Sequence, residues 1–143
     1  MKILFDTSVI IAALVDQLPN HEAAFETFLQ FSSAPNQGYC STHALAECYA
    51  VMTALPLSRR ILPDEARTLI EESIRGRLTI VDLSTQHYIS AIDRVASQGA
   101  GSGLIYDALH VEAAIEASCK RVYSYNLAHF RRIVPTTIEL LAP

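Results

Sequence analysis

Three acidic residues of this sequence stand among apolar or small neighbours: Asp6 in ILFDTSVI, Glu47 in HALAECYAV and Asp107 in LIYDALHV. Burying a carboxylate without a partner costs free energy or shifts its pKa. Three buried carboxylates would also repel one another unless a cation lay between them. Carboxylate oxygens suit Mg²⁺ or Mn²⁺, and such an ion activates water and stabilises charge developing on a phosphate. The three acids therefore predict a metal site that acts on a phosphodiester.

Each acid taken alone also has a purely structural interpretation. Asp6 and Asp107 lie near the expected starts of helices, where a carboxylate can cap free amides or bond within the core. Glu47 alone could simply face solvent. It is the occurrence of all three in apolar surroundings that favours a shared cation.

Several other reactive residues stand near these acids in sequence. His43 lies one helical turn before Glu47, and His110 one turn after Asp107, so both can face the same site. Histidine is a poor ligand for Mg²⁺; we expect His43 to cap or pack, whereas the role of His110 is open and His129 is a candidate phosphate contact.

The sequence contains no HExxH or GxSxG motif, and no GK[ST] follows the glycine-rich GAGSG, which argues against a zinc hydrolase, a serine hydrolase and a P-loop.

The predicted elements explain how the acids would meet. Apolar strand-like segments alternate with helical ones, which predicts an α/β fold: a three-layer α/β/α sandwich with a mainly parallel central sheet. Sites in such sheets gather at the carboxyl ends of the strands, and Asp6 directly follows the first predicted strand. The predicted strands are 2–5, 38–41, 78–83, 121–124 and 136–141, with 78–83 expected to be buried. The first predicted helix begins at residue 8. The other predicted helices span 20–30, 42–54, 63–76, 84–98 and 104–118.

Length and composition limit the class of protein. The 143 residues fit a single domain, 1–143, with a sizeable core. A net charge of −4 is not the footprint of a nucleic-acid binder, so any RNA contact needs a local positive field, for which Arg59–Arg60 and Arg131–Arg132 are candidates. Three widely spaced cysteines indicate buried thiols in a reducing compartment, and no apolar run is long enough to span a membrane. We expect a cytoplasmic protein.

Four segments together resemble a known family: the strand ending in DTSVI, the helix carrying AECYAV, the stretch YDALHVEAA and the segment VYSYNLAHF. In this order and spacing they look like the PIN-domain ribonucleases, and especially the VapC toxins of VapBC toxin–antitoxin pairs. The resemblance covers essentially the whole chain. It implies that Asp6, Glu47 and Asp107 bind Mg²⁺ or Mn²⁺ and support endonucleolytic cleavage of RNA.

The family pattern is not matched at one position. Relatives commonly carry a fourth acid after the fourth strand, where this chain has Asn126. An amide oxygen can orient a metal-bound water but brings no charge, so one ion would be held well and a second weakly. Asn126 is still predicted to be part of the catalytic group, and supporting or substrate-contacting roles are predicted for Ser8, Ser124 and His110.

The sequence thus predicts a metal-dependent endoribonuclease with RNA as substrate, an antitoxin as partner and a homodimeric assembly. One alternative is a catalytically weak PIN scaffold that only binds RNA or a partner, with Asn126 marking the lost activity. A receiver-type phosphoacceptor module also has an acid after its first strand. That module needs a lysine at a late strand end, and Lys2 and Lys120 are the only lysines.

Overall fold

The computed structural model describes residues 1–143, and its centre is a sheet of five parallel strands. The strands lie in the order β3-β2-β1-β4-β5, which places β1 in the middle. Parallel neighbours require a crossover connection, and helices supply these crossovers. The strands are β1 (Lys2–Phe5), β2 (Gln37–Ser41), β3 (Thr79–Val81), β4 (Arg121–Tyr123) and β5 (Glu139–Leu141).

Seven α-helices cover the two faces of the sheet. They are α1 (Thr7–Leu14), α2 (His21–Phe31), α3 (Thr42–Ala54), α4 (Pro63–Leu69), α5 (Thr85–Ser97), α6 (Leu104–Glu116) and α7 (Leu127–Arg131). A π-helical turn, Ile70–Ile74, continues α4, so the helix predicted over 63–76 is α-helical only in its first half. None of the helices is both long enough and apolar enough to cross a bilayer.

Alternation along β1 produces the two layers of the core. Successive side chains of a strand point to opposite faces. Ile3 and Phe5 therefore pack into one apolar cluster with α1 to α4, whereas Leu4 packs into the other with α5, α6 and α7. All three side chains are fully buried, as expected for a central strand covered on both faces. The predicted three-layer α/β/α sandwich is confirmed.

Two local predictions need correction. The segment predicted as a buried strand over 78–83 forms only Thr79–Val81, and Thr79 is exposed because β3 is an edge strand that pairs with β2 alone. Asp6 occupies the N-cap position of α1, but its carboxylate makes no capping hydrogen bond. The Ser84 cap of α5 is present as a full capping box with His87, and the three cysteines are buried free thiols.

Candidate active site at the carboxyl edge of the sheet

Polar side chains converge at the carboxyl ends of the three central strands. Asp6 follows β1, Ser41 ends β2 and Ser124 follows β4, and all three are buried. Helices α3 and α6 begin at the same edge and bring Glu47 and Asp107 to it. This is the edge at which parallel sheets place their ligands.

Two serine hydroxyls hold the carboxylate of Asp6. Ser8 Oγ and Ser124 Oγ both donate to Asp6 Oδ2, at 2.7 and 2.8 Å. The same hydroxyl oxygens accept backbone N–H groups of Tyr125 and Asn126, at 3.0 and 2.9 Å. This arrangement ties the end of β1 to the segment after β4. Asp6 Oδ1 accepts no hydrogen bond and lies 3.5 Å from His110 Nε2.

Glu47 reaches the same place from the second turn of α3. Its Oε1 accepts hydrogen bonds from Thr7 Oγ1 at 2.9 Å and from His110 Nε2 at 2.7 Å, while Oε2 accepts none. Partial burial raises the pKa of Glu47, but the hydrogen bond and the charge of His110 outweigh it, so the pKa lies below its ordinary value. Glu47 is therefore ionised at neutral pH, with one oxygen free.

His110 is the centre of the hydrogen-bond network. It is 1% exposed, and its Nε2–H donates to Glu47 while Nδ1 lies 3.0 Å from Ser41 Oγ. Burial lowers the pKa of His110, yet the Glu47 hydrogen bond and the charges of Asp6 and Asp107 raise it above its ordinary value overall. The surrounding acids thus favour the protonated form of the imidazole.

Asp107 is the acid with the least compensation. It lies on the first turn of α6 with its side chain 14% exposed and accepts no hydrogen bond; His129 Nδ1 is 3.4 Å from its Oδ2. Burial, followed by the negative charge of Asp6, raises the pKa of Asp107 from 3.8 to about 6. Its nearest basic side chain is His129, which makes no hydrogen bond to it, so the ionised carboxylate is only partly compensated.

The donor chemistry at this edge fits a hard divalent cation. Asp6 Oδ1, Glu47 Oε2 and both oxygens of Asp107 make no hydrogen bond, and Asp107 is destabilised as an anion. No group of three or more His, Cys, Asp or Glu side chains is placed to hold a metal ion by itself. Mg²⁺ typically binds through one or two carboxylates with waters and substrate phosphates rather than in an all-protein cage. The residues present therefore fit the ion.

Asn126 and the two arginine pairs are placed differently from the acids. The Asn126 side chain is exposed and forms no hydrogen bond; only its backbone N–H joins the network, through Ser124. Arg132 and His129 line a cavity of about 300 Å³ beside the glycine-rich loop. Arg59, by contrast, pairs with Glu65 at 2.9 Å in a separate groove. Of the four arginines, Arg132 is thus the one that shares a cavity with His129, the histidine 3.4 Å from Asp107.

Sequence reasoning missed two supporting residues, Thr7 and Ser41. Their hydroxyls position Glu47 and His110. Both residues stand where a strand passes into a helix, and a serine or threonine that only caps a helix stands in the same kind of place. Only the end-of-strand position could have identified them. His43 packs as predicted, with its ring stacked on Tyr106.

Comparison with known proteins agrees with this geometry. The PIN domain family model matches residues 3–134. Ribonuclease VapC27 of Mycobacterium tuberculosis is 34% identical over 111 residues, which cover 78% of this chain and 75% of that protein.

Two solved structures share the fold. VapBC2 from Rickettsia felis, bound to a DNA fragment from its promoter, has a TM-score of 0.71 at 17% identity. The match covers 99% of this chain and 98% of that chain. Mycobacterium tuberculosis VapC20, a sarcin–ricin loop cleaving toxin, has a TM-score of 0.72 at 14% identity. The match covers 90% of this chain and 93% of that chain. From the family match, the relatives and the shared fold, the chain belongs to the PIN-domain family and is VapC-like.

Proposed function

We propose that this protein is a divalent-metal-dependent endoribonuclease and the toxin of a toxin–antitoxin pair. The observation that carries the proposal is the meeting of Asp6, Glu47 and Asp107 around the carboxyl ends of the central strands. The identity to a relative named as a ribonuclease supports the choice of RNA as substrate.

Mg²⁺ or Mn²⁺ is the proposed cofactor. Asp6 through Oδ1 and Asp107 would hold it, and Glu47 Oε2 is the third available carboxylate oxygen. When bound, the ion supplies a water of lowered pKa and neutralises charge developing on the phosphate. Asn126 brings no negative charge to this edge, which supports one well-held ion and a weaker second one.

The chain's own residues divide the remaining tasks. Ser8 and Ser124 fix Asp6 Oδ2, so that Oδ1 is the oxygen left for binding. His110 and Thr7 fix Glu47 Oε1, leaving Oε2 as the atom that can accept a proton from an attacking water. These contacts keep the acids in position before a substrate arrives.

Contact with the RNA backbone is proposed for the cavity beside Asp107. His129 and Arg132 face it, and the backbone of Gly101 and Gly103 leaves it open. Cationic side chains bind phosphate oxygens without reading sequence. This local positive field offsets the net charge of −4.

Two protein partners are proposed. An antitoxin is supported by the solved VapBC complex and by a groove of about 530 Å³ lined by apolar residues, by three acids and by Arg59, which pairs with one of those acids. Such a groove suits an amphipathic segment with basic residues. A second copy is supported by the exposed Tyr88, Ile89 and Ile92 of α5.

We expect light scattering on the purified chain to give twice the 15.7 kDa chain mass; a monomer mass would rule out the homodimer.

The test of the activity is cleavage of labelled RNA by the purified chain, freed of antitoxin, with Mn²⁺ or Mg²⁺ and then with excess chelator. We expect cleavage that depends on the ion and stops on chelation, together with binding of the ion measured by calorimetry in the absence of RNA. Binding of RNA without cleavage under any of these ions would reject the nuclease and favour a binding scaffold.

A further inference from the structure

Three aromatic rings run from the buried network to the surface. The rings of His110 and His43 are 5.7 Å apart at 49°, and the rings of His43 and Tyr106 are 5.3 Å apart and nearly parallel at 7°. Tyr106 and His110 are four residues apart on α6 and so share one face of that helix. His43 lies opposite them, in the first turn of α3.

Exposure increases along this series. His110 is 1% exposed, the His43 side chain 18%, and Tyr106 52%. The Tyr106 hydroxyl forms no hydrogen bond, and the buried His43 Nε2 also has no hydrogen-bond partner. The two rings are therefore held by stacking alone, and half of the outer ring is open to solvent.

The exposed ring is directly beside the acids. Tyr106 precedes Asp107 in the chain, and His43 Nε2 lies 3.5 Å from Glu47 Oε1. Because His43 contacts both Tyr106 and Glu47, a strand whose phosphate reaches these acids passes close to this ring. Unstacked RNA bases bind aromatic rings in this way, and stacking tolerates any base.

We propose that Tyr106, backed by His43, is a stacking platform for a nucleobase of single-stranded RNA next to the scissile phosphate. This inference rests on the proposed ribonuclease function and adds a base-binding element to it. The chain has little positive charge with which to hold RNA, so stacking supplies affinity that the backbone contacts lack.

The platform and the basic cavity both adjoin the start of α6. Tyr106 and Asp107 lie in its first turn, and His129, which lines the cavity with Arg132, is 3.4 Å from Asp107. One strand can therefore place a base on Tyr106 and a neighbouring phosphate near Arg132. A nucleotide bound in this way is unpaired, which selects single strands over duplexes.

Kinetics provide the first test. Tyr106→Ala is expected to raise KM for a fluorescent mixed-sequence RNA about tenfold while kcat changes little, because stacking binds the strand without touching the reacting atoms. Tyr106→Phe keeps the ring and should retain wild-type KM. Phe25→Ala is the matched control, since Phe25 is similarly exposed and also stacks on a histidine, His21, but lies on α2, which makes no hydrogen bond or ion pair with the three acids.

A fluorescence measurement provides a readout that does not depend on cleavage. The chain contains no tryptophan, so Tyr106→Trp, in an Asp6→Asn background that prevents cleavage, reports on the platform alone. Short single-stranded RNA is expected to quench this tryptophan, and an abasic strand of equal length should quench it much less. Phe25→Trp should respond to neither strand.

The outcomes separate this inference from the function on which it rests. Wild-type cleavage with an unchanged KM in Tyr106→Ala, or equal quenching by the normal and abasic strands, overturns the platform and leaves the nuclease standing. Base-dependent quenching, combined with no cleavage of RNA by the chain with Asp6 intact and Mn²⁺ or Mg²⁺ present, supports the platform and rejects the nuclease.

Discussion

Replacing Asp6 by asparagine is expected to lower RNA cleavage at least about 100-fold and to weaken binding of Mn²⁺ or Mg²⁺ in parallel. Loss of an outer contact to a metal ligand alone costs roughly 10- to 100-fold, and Asp6→Asn removes the charge of a proposed ligand. Rates on labelled RNA and calorimetric titration of the ion measure the two effects on the same samples.

The fold should survive this substitution. The amide oxygen of asparagine can accept the hydrogen bonds from Ser8 and Ser124 that Asp6 Oδ2 accepts now. Asp82→Asn is the control with the same change of charge, because Asp82 is exposed after β3 and makes no hydrogen bond; its activity should remain at the wild-type level. Full cleavage by a folded Asp6→Asn protein would contradict the assigned role.

Asp107→Asn should separate activity from stability at the same site. Folding raises the pKa of Asp107 to about 6, so the folded state binds its proton more tightly than the unfolded state and loses stability as pH rises from about 4 through 6. The asparagine variant avoids this loss. With Mn²⁺ or Mg²⁺ present, we expect this variant to cleave no RNA. Without metal, we expect it to melt at a higher temperature than wild type at pH 8, with the difference closing below about pH 4. A lower melting temperature at pH 8 would contradict the raised pKa.

The sheet and the position of Asp6 were predictable because both depend on local patterns. A short apolar segment followed by an acid and then an apolar helix is the signature of a parallel strand with a residue at its carboxyl end. Ser124 after β4 was instead predicted from the resemblance to the family pattern at that position. The partial exposure of β3 was not predictable, since its sequence is as apolar as a central strand and its edge position is decided by the order of the strands.

The hydrogen-bond network was less predictable because its contacts join distant parts of the chain. His110 and Glu47 are 63 residues apart, and Ser124 and Asp6 are 118 apart. Apolar neighbours also fail to distinguish one buried acid from another. Glu112 stands in the apolar segment HVEAAI and is 6% exposed, yet it bonds to Arg94 rather than joining the site.

Breaking that ion pair gives the largest expected change in stability. Arg94 Nε donates to Glu112 Oε1 at 3.0 Å, and Nη1 donates to the carbonyl of Ile133 at 3.2 Å, which joins α5 to α6 and to the segment after α7. Arg94→Met leaves Glu112 as an unpaired charge in the core. We expect a loss of about 2–4 kcal/mol in the free energy of unfolding, because breaking a buried pair costs far more than breaking an exposed one.

A double-mutant cycle shows whether the unpaired charge is the cause. Adding Glu112→Met to Arg94→Met removes the orphaned carboxylate, so most of the lost stability should return in urea or thermal unfolding. Arg75→Met is the matched control, since Arg75 pairs with Glu71 on an exposed helix face and its loss should cost no more than about 0.5 kcal/mol. If Arg94→Met costs as little as Arg75→Met, Glu112 is protonated or solvated when unpaired, and α5 is held to α6 by apolar packing alone.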